Sequence, residues 1–279
     1  MTELARHKID MEIARRQVAS KAELLALTQT AARADPRLLN ALFLTARDYA
    51  SYLAIVDPHS SQMAVALKAA VQAALAIFAV ASATGGVVEV DLGADAPTKL
   101  PAKGPTGAAD AGNWRSGFQL ALICRDHHAV DRLCQVPISV IRDSSTQSDE
   151  CAYLYVEALQ SLWRRAPDAA ERLRAAVDAT DPHMVKLGTD YVLNILVPEL
   201  QLLYRYATRD DSAFNEALRF ALERHKKYWG QKKLHLSASG FVAWGAIAFA
   251  SLAWDADALI AVESDYLSPF LYRGTFLQT

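Results

Sequence analysis

The chain has 279 residues, of which 52% are hydrophobic, and its 29 basic and 31 acidic residues give a net charge of −2. This length and apolar content allow a large buried core and exclude a disordered tail or a disulfide-stapled miniprotein. The balanced charge provides no overall field that would attract nucleic acid or anionic lipid, although a charged partner could still find a local patch.

Three features predict a cytoplasmic protein that is not associated with a membrane. The cysteines, Cys124, Cys134 and Cys151, are odd in number and lack framework spacing, which favours a reducing compartment. The first residues mix charges and lack the apolar core of a signal peptide. The longest apolar runs, 69–83 and 240–254, are shorter or more interrupted than the about 20 apolar residues of a membrane helix.

Helical periodicity dominates the chain and predicts an all-α fold. Its clearest case is 211–229, where Phe214, Leu218, Leu222 and Trp229 form part of one apolar stripe. Further helices are predicted near 3–33, 36–56, 59–83, 113–134, 149–165, 168–179, 183–196, 198–208 and 238–254.

One irregular segment interrupts this pattern. Residues 84–110 are rich in Gly and Pro and contain the alternating sequence VVEVDL, which predicts a loop with a short strand or hairpin. We interpret the chain, 1–279, as one helical domain with N-terminal helices in 1–83 and the main helical portion in 111–279. There is no fixed internal repeat, although stacked helical hairpins fit the pattern.

The stretch NWRSGFQLALICRDHHAVDRLCQVP, 113–137, offers candidate zinc ligands in Cys124, His127, His128 and Cys134. A single helix would place Cys124 and His128 on one face and turn His127 away, and a second ligand pair of the usual spacing is missing. His128 could also activate Cys124 as a nucleophile, but no glycine-rich turn exposes the thiol. We therefore predict no metal site here and expect Cys124 to be buried.

The adjacent Arg125 and Asp126 fit a structural role better than a catalytic one. Arginine can form two bonds to a carboxylate or bind helix carbonyls at a packed helix junction.

A second candidate is the run RHKKYWGQKKLHL, 224–236, whose basic residues alternate with Tyr228 and Trp229. Such a run can bind phosphate and stack a base. Both aromatic residues lie on the stripe assigned to the core, however, so a solvated helix end is the preferred interpretation and we predict no nucleic-acid partner.

Acidic residues form the third candidate. Paired carboxylates can hold a metal ion or act as acid and base, but two-residue spacings without the glycine of a calcium loop favour a solvated surface. Such acids can complement a basic partner and speed its association. We predict partner binding for Glu89, Asp91, Asp95, Asp255, Asp257, Glu263 and Asp265. The sequence has no phosphate loop or dinucleotide fingerprint, and we predict neither a cofactor nor catalytic residues.

The block 113–137 resembles the central block of the bacterial immunity protein 49 family. Three later blocks agree: DECAYLYVEALQSLW (149–163), LNILVPELQLLYRYATRDDSAFNEALRFALERHKKYW (193–229) and VESDYLSPFL (262–271). The resemblance covers roughly 60–275, and none of its blocks is a catalytic signature. The residues that carry the resemblance include six for which it implies structural roles: Trp114, Cys124, Arg125, Asp126, Tyr228 and Trp229.

The resemblance implies a non-enzymatic cytoplasmic inhibitor of a toxin encoded beside it in a bacterial competition system. We expect a helical surface to bind that toxin and to cover its active site or substrate entrance. Two alternatives remain open: a helical-hairpin adaptor that binds extended peptides, and an enzyme that reverses the toxin's modification.

Overall fold

A computed structural model describes residues 4–94 and 96–278, and helices form most of it, which confirms the all-α prediction. The first helices are α1 (Met11–Ala32), α2 (Leu39–Val56) and α3 (Gln62–Ser82), and each packs on the next. The predicted start at residue 3 lies outside the described residues, and the prediction is wrong for 4–10, which are not helical. Asp10 begins the helix by accepting bonds from the amides of Glu12 and Ile13.

Residues 4–10 precede α1 without forming a helix, and they contact the C-terminal region. Leu4 forms a parallel bridge with Ser264, and the Arg6 amide donates to Asp265 at 2.9 Å. The N-terminal segment is therefore held against the segment that contains Ser264 and Asp265.

The irregular segment contains the predicted hairpin. Strands β1 (Val87–Val90) and β2 (Thr98–Pro101) pair antiparallel, with Val88 opposite Leu100. The side chains of Val90 and Leu100 are buried against the helices.

The segment 113–134, predicted as one helix, is two helices. Helix α4 (Ala111–Ile123) ends where Arg125 adopts a φ of 54°, and α5 (His127–Cys134) begins after Asp126, whose carboxylate accepts from the Ala129 amide at 2.9 Å. The prediction failed because no glycine or proline marks the break, although Asp126 is a good N-cap. The short α6 (Ile138–Arg142) follows.

The next helices are α7 (Glu150–Trp163), α8 (Ala169–Asp178), α9 (Thr189–Tyr191), α10 (Val197–Thr208) and α11 (Asp211–Trp229). A turn of π-helix, Val192–Leu196, joins α9 to α10. The predicted helix 183–196 is therefore helical only from residue 189, while the prediction for 211–229 is confirmed.

The C-terminal part has α12 (Trp244–Asp255) and the short α13 (Pro269–Tyr272). The predicted helix 238–254 is interrupted, since Ala238–Gly240 is a separate 3-10 turn.

The apolar stretch in α3 is longer than the run 69–83 identified from the sequence. The helix is long and apolar enough to cross a membrane by length and composition, because its apolar window begins before residue 69. Of that window, 72% is buried inside the protein, as is typical of a core helix. Buried side chains of the described residues form a hydrophobic cluster that runs from Ala14 to Phe276.

Candidate functional site

Trp114 fastens α4 to α5. Its side chain is fully buried, its Nε1 donates to the Leu133 carbonyl oxygen at 2.9 Å, and its ring stacks on Phe118 at 5.1 Å between centroids. A buried indole whose N–H is satisfied in this way stabilises the fold and offers no surface for chemistry.

Arg125 joins three segments of the chain. Its Nε and Nη2 donate to the two Asp255 carboxylate oxygens at 3.1 and 3.0 Å, and its Nη1 donates to the Ile123 carbonyl at 2.8 Å. Further bonds run to the Leu271 and Tyr272 carbonyls at 3.3 and 2.5 Å. These are bonds to a carboxylate and to helix carbonyls, the two kinds expected for Arg125, and the carboxylate comes from the end of α12.

The cysteine environments disfavour nucleophilic chemistry. Cys124 is half-buried, and Cys134 and Cys151 are buried. Burial raises the pKa of Cys124 and Cys134 to about 12 and that of Cys151 to about 11. Thiols with such pKa values are almost wholly protonated at neutral pH and therefore weakly nucleophilic.

The two histidines proposed as ligands together with these cysteines lie apart from Cys124. His127 and His128 are exposed on α5, beyond the break that separates them from Cys124. Across residues 4–94 and 96–278, no group of three His, Cys, Asp or Glu side chains is placed to hold a metal ion.

The aromatic pair at the end of α11 is half-buried. A Cβ atom on Gly240 would lie 2.5 Å from Trp229 Cγ, so the indole lies directly against that backbone. Tyr228 meets Tyr191 edge to face at 5.5 Å. Packing of this kind leaves little of either ring for stacking a base.

Most of the predicted partner-binding acids have partners within the protein. Glu89 lies 3.5 Å from Lys99 across the hairpin, and Asp91 accepts from Gln72 at 2.6 Å. Asp255 and Asp265 bind Arg125 and Arg6, as described above. Asp257 and Glu263 are exposed, and Asp95 lies outside the described residues. The structure places these acids on separate segments, and their role in partner binding stays a prediction.

A large surface cavity forms a groove that was not predicted from the sequence. It has a volume of about 1070 Å³ and lies between α8 on one side and α10 and α11 on the other. Its lining is mainly apolar, and it exposes Val177 (46% exposed) and Tyr204 (49% exposed). We call this cavity the α8–α10 groove.

Small side chains explain why the groove exists. Alanines line the facing surfaces of α8, α10 and α11, at Ala169, Ala170, Ala207, Ala213 and Ala217. Side chains of this size leave the space between helices open, whereas larger apolar residues would close it. Helix α8 packs chiefly on α7 and contacts α10 much less.

Arginine is the more frequent charged residue in and beside the groove. Arg174 and Arg205 line it, and Arg165 and Arg209 adjoin the lining residues Ala166 and Thr208 at the ends of α7 and α10. The acidic lining residue is Glu216, and Asp178 lies 3.8 Å from Arg174, which offsets part of the charge there.

Arg165 and Arg209 have an unusual backbone conformation, with φ of 53° at each. Glycine is the ordinary residue at such helix C-terminal positions, and arginine there places a positive charge at the negative end of the helix dipole. Burial raises the pKa of Tyr206; Arg209 and Arg165 oppose that rise, and Asp255 adds to it. The two guanidinium groups therefore lie within electrostatic range of one tyrosine.

The sequence contained one usable signal for this groove. Val177 and Tyr204 extend the apolar stripes of their helices, since each lies four residues after a buried leucine, Leu173 in α8 and Leu200 in α10. The sequence does not show that these two residues stay exposed, because that depends on tertiary packing.

The chain was also compared with known proteins. The family model described as immunity protein 49 matches residues 56–269. Comparisons with curated proteins and with solved structures give no match. The match covers most of the chain, including α4 and α5 and all three helices of the α8–α10 groove. The protein therefore belongs to the immunity protein 49 family.

Proposed function

We propose that this immunity protein acts in the cytoplasm by binding a toxin encoded beside it, and that the toxin docks in the α8–α10 groove. The bound protein covers the toxin's active site or substrate entrance and so inhibits it stoichiometrically. The observation that supports this proposal is the groove itself, a large and mainly apolar cavity with arginines in its lining, on a chain of this family.

The size of the groove favours a polypeptide over a small molecule. Its volume of about 1070 Å³ is at the upper limit of ordinary small-molecule pockets, which measure about 300–1,000 Å³. Three helices form its walls, and a helix or extended segment of a partner can lie along them with its apolar side chains inward.

The charge of the rim specifies the occupant further. Arg174 and Arg205 line the groove, and Arg165 and Arg209 directly adjoin its lining residues Ala166 and Thr208 in the chain. These arginines complement a segment that carries both apolar and acidic side chains. Charge pairs at an interface rim chiefly accelerate association, which suits an inhibitor that must bind before the toxin acts.

Co-expression provides the test. The toxin domain from the adjacent reading frame is induced in a sensitive bacterium together with the wild-type protein, Val177→Asp or Val65→Asp. Val65→Asp is the matched control, because Val65 is also an exposed valine (52% exposed) but lies on α3. We expect the wild type and Val65→Asp to rescue growth and to form a one-to-one complex. Val177→Asp should lose affinity by at least about tenfold, or about 1.4 kcal/mol, because it places an unpaired charge in the interface.

Three outcomes would contradict parts of the proposal. Rescue by Val177→Asp equal to that of the wild type would exclude the groove as the toxin site. Rescue without any complex would favour an enzyme that reverses the damage. No rescue, together with binding of an extended peptide in the groove, would favour the adaptor alternative.

A further inference from the structure

A second cavity lies between the N-terminal helices and the centre of the protein and contains two arginines. Its volume is about 90 Å³, and its walls include Arg47 from α2, Arg115 from α4 and residues of α10, α11 and α12. A water molecule needs only about 10–15 Å³ of such volume, so the cavity has room for several waters or for one small ion.

Arg115 is deeply buried and only partly satisfied. Its Nη2 donates to the Tyr191 hydroxyl, and its Nε lies 3.7 Å from Glu199 Oε2, which is too far for a hydrogen bond. The same Glu199 oxygen already accepts from Gln119 Nε2 at 2.8 Å and lies 3.5 Å from the Tyr155 hydroxyl. Within the described chain, the buried Arg115 Nε has no hydrogen-bond partner.

Arg47 has the same deficiency on the other wall. Its Nη2 donates to Ser239 Oγ at 3.0 Å and lies 3.9 Å from Asp48, a carboxylate that Lys21 also binds at 3.1 Å. Its buried Nε likewise lacks a partner in the part of the chain that the structure describes. Burial lowers the pKa of Arg47, Asp48 opposes this, and Arg115 lowers it further, so the two guanidinium groups lie close enough to repel each other.

The charges around the cavity do not balance. The cavity lining contains two cations, Arg47 and Arg115, and one carboxylate, Glu199, which pairs with Arg115. Asp48 lies outside the lining, 3.9 Å from Arg47, and is shared with Lys21. Burial lowers the pKa of the lining residue His225 to about 4, so this imidazole is neutral at neutral pH and leaves the excess unchanged. A buried positive charge without a counter-ion is costly, and two orphaned N–H donors add to that cost.

We propose that this cavity binds one small oxyanion, a phosphate or a carboxylate, between Arg47 and Arg115. The anion accepts hydrogen bonds from the two Nε–H groups and neutralises the excess charge. Guanidinium groups are well suited to this, since their N–H donors match the oxygens of phosphates and carboxylates. The bound anion links α2 to α4 and so joins the N-terminal helices to the rest of the fold.

Thermal unfolding tests the proposal on the full chain. The melting temperature is measured in sodium phosphate, sodium acetate and sodium chloride at equal ionic strength, for wild type, Arg47→Gln and Arg37→Gln. Arg37 is a matched control because its side chain is 80% exposed and lies outside the cavity. Phosphate or acetate should raise the melting temperature of wild type and Arg37→Gln by roughly 5 °C at saturation, relative to chloride, and Arg47→Gln should lose this rise.

The three salts distinguish which anion causes a rise in melting temperature. A rise with phosphate alone identifies a phosphate site, and a rise with acetate alone identifies a carboxylate site. Equal melting temperatures in the three salts, or an undiminished rise in Arg47→Gln, would overturn the proposal and indicate a water-filled cavity. If Arg47→Gln does not fold, calorimetric titration of wild type decides, because absence of saturable binding of both phosphate and acetate at millimolar concentration would also overturn it.

Discussion

Arg125 and Asp255 stand 130 residues apart in the chain and are joined by two hydrogen bonds of 3.1 and 3.0 Å. The pair connects the break between α4 and α5 to the end of α12. Because Arg125 also binds three backbone carbonyls, the break in the helix is a junction of the fold. Asp255, which the sequence placed among the partner-binding acids, has a contact within the molecule that explains its presence.

We expect Arg125→Gln to lower the free energy of unfolding by about 2–3 kcal/mol. The substitution removes bonds from a charged donor and leaves the carbonyls of Leu271 and Tyr272 without that partner. Asp255→Asn should cost less than about 1 kcal/mol, since the Asp255 side chain is 43% exposed. Urea denaturation measures both effects.

Arg165→Gln is the matched control for this experiment, because Arg165 has nearly the same φ as Arg125 and is exposed at the end of α7. Its effect on unfolding should be within about 0.5 kcal/mol. If Arg125→Gln were as mild as Arg165→Gln, the junction would contribute nothing measurable to stability.

Local patterns predicted the elements that depend on local chemistry. The stripe containing Phe214, Leu218 and Leu222 is buried along α11, and the alternating residues after Thr84 form the hairpin. The break after Cys124 was missed because arginine in a left-handed conformation has no sequence signal, and here the bonds of Arg125 to distant residues help to hold it. Tertiary contacts override helix propensity at such a position.

The α8–α10 groove could not be predicted from the sequence for a different reason. The α8–α10 groove exists because α8 packs on α7 and leaves a gap beside α10, and no periodicity specifies that gap. The charge on its rim comes from arginines on three separate segments. The acids, in contrast, were visible as clusters in the sequence, yet Asp91, Asp255 and Asp265 bind within the fold.

Gly245 should resist substitution by alanine. A Cβ atom there would lie 2.1 Å from Glu199 Oε1 and 2.9 Å from Gln119 Nε2. Alanine normally stabilises a helix relative to glycine, but here it would displace a buried carboxylate, and we expect Gly245→Ala to cost about 2–4 kcal/mol of unfolding free energy. Denaturant unfolding checks this value.

Gly188→Ala is the control, since the nearest atom to its added Cβ would be 3.8 Å away. Its effect should stay below about 1 kcal/mol. A neutral Gly245→Ala would mean that Glu199 moves freely, and the network around Arg115 would then be less rigid than its contacts imply.

His225 should make the protein less stable in mild acid. Burial lowers its pKa from 6.5 to about 4, and its Nε2 lies 2.9 Å from the Gly240 carbonyl. Between these two pKa values the unfolded chain binds a proton that the folded protein does not, so the stabilisation present above pH 6.5 is lost as the pH falls toward 4. From pH 7 to pH 5 the loss should be about 2 kcal/mol.

The measurement compares urea unfolding at pH 7 and pH 5 for wild type and His225→Gln, whose loss between the two pH values should be smaller by about that amount. His183→Gln replaces an exposed histidine and should behave as wild type. Burial also lowers the pKa of His7, but His7 is present in all three proteins and its effect largely cancels. Equal pH dependence in wild type and His225→Gln would show that His225 titrates normally.

The thiols should alkylate slowly in the native protein. With pKa values of about 12, 12 and 11 for Cys124, Cys134 and Cys151, the thiolate fraction near neutral pH is far below that of an ordinary cysteine. Iodoacetamide labelling followed by mass spectrometry should be roughly 100-fold slower than in urea. If one cysteine in the native protein reacted as fast as in urea, the hypothesis of a cysteine nucleophile would be supported.

The rim arginines provide the last prediction, which separates the groove from the acidic interface expected from the sequence. We expect Arg165→Glu combined with Arg209→Glu to weaken toxin affinity by about tenfold or more, chiefly through slower association, and to reduce the dependence of the association rate on salt. The matched variant changes Asp257 and Glu263, which are exposed acids that do not line the groove, to lysine. It should leave the association rate within about twofold. Stopped-flow binding at two salt concentrations measures both variants. If the lysine variant were the one to lose affinity, the toxin would bind the acidic segment, and the groove would have to serve a different partner.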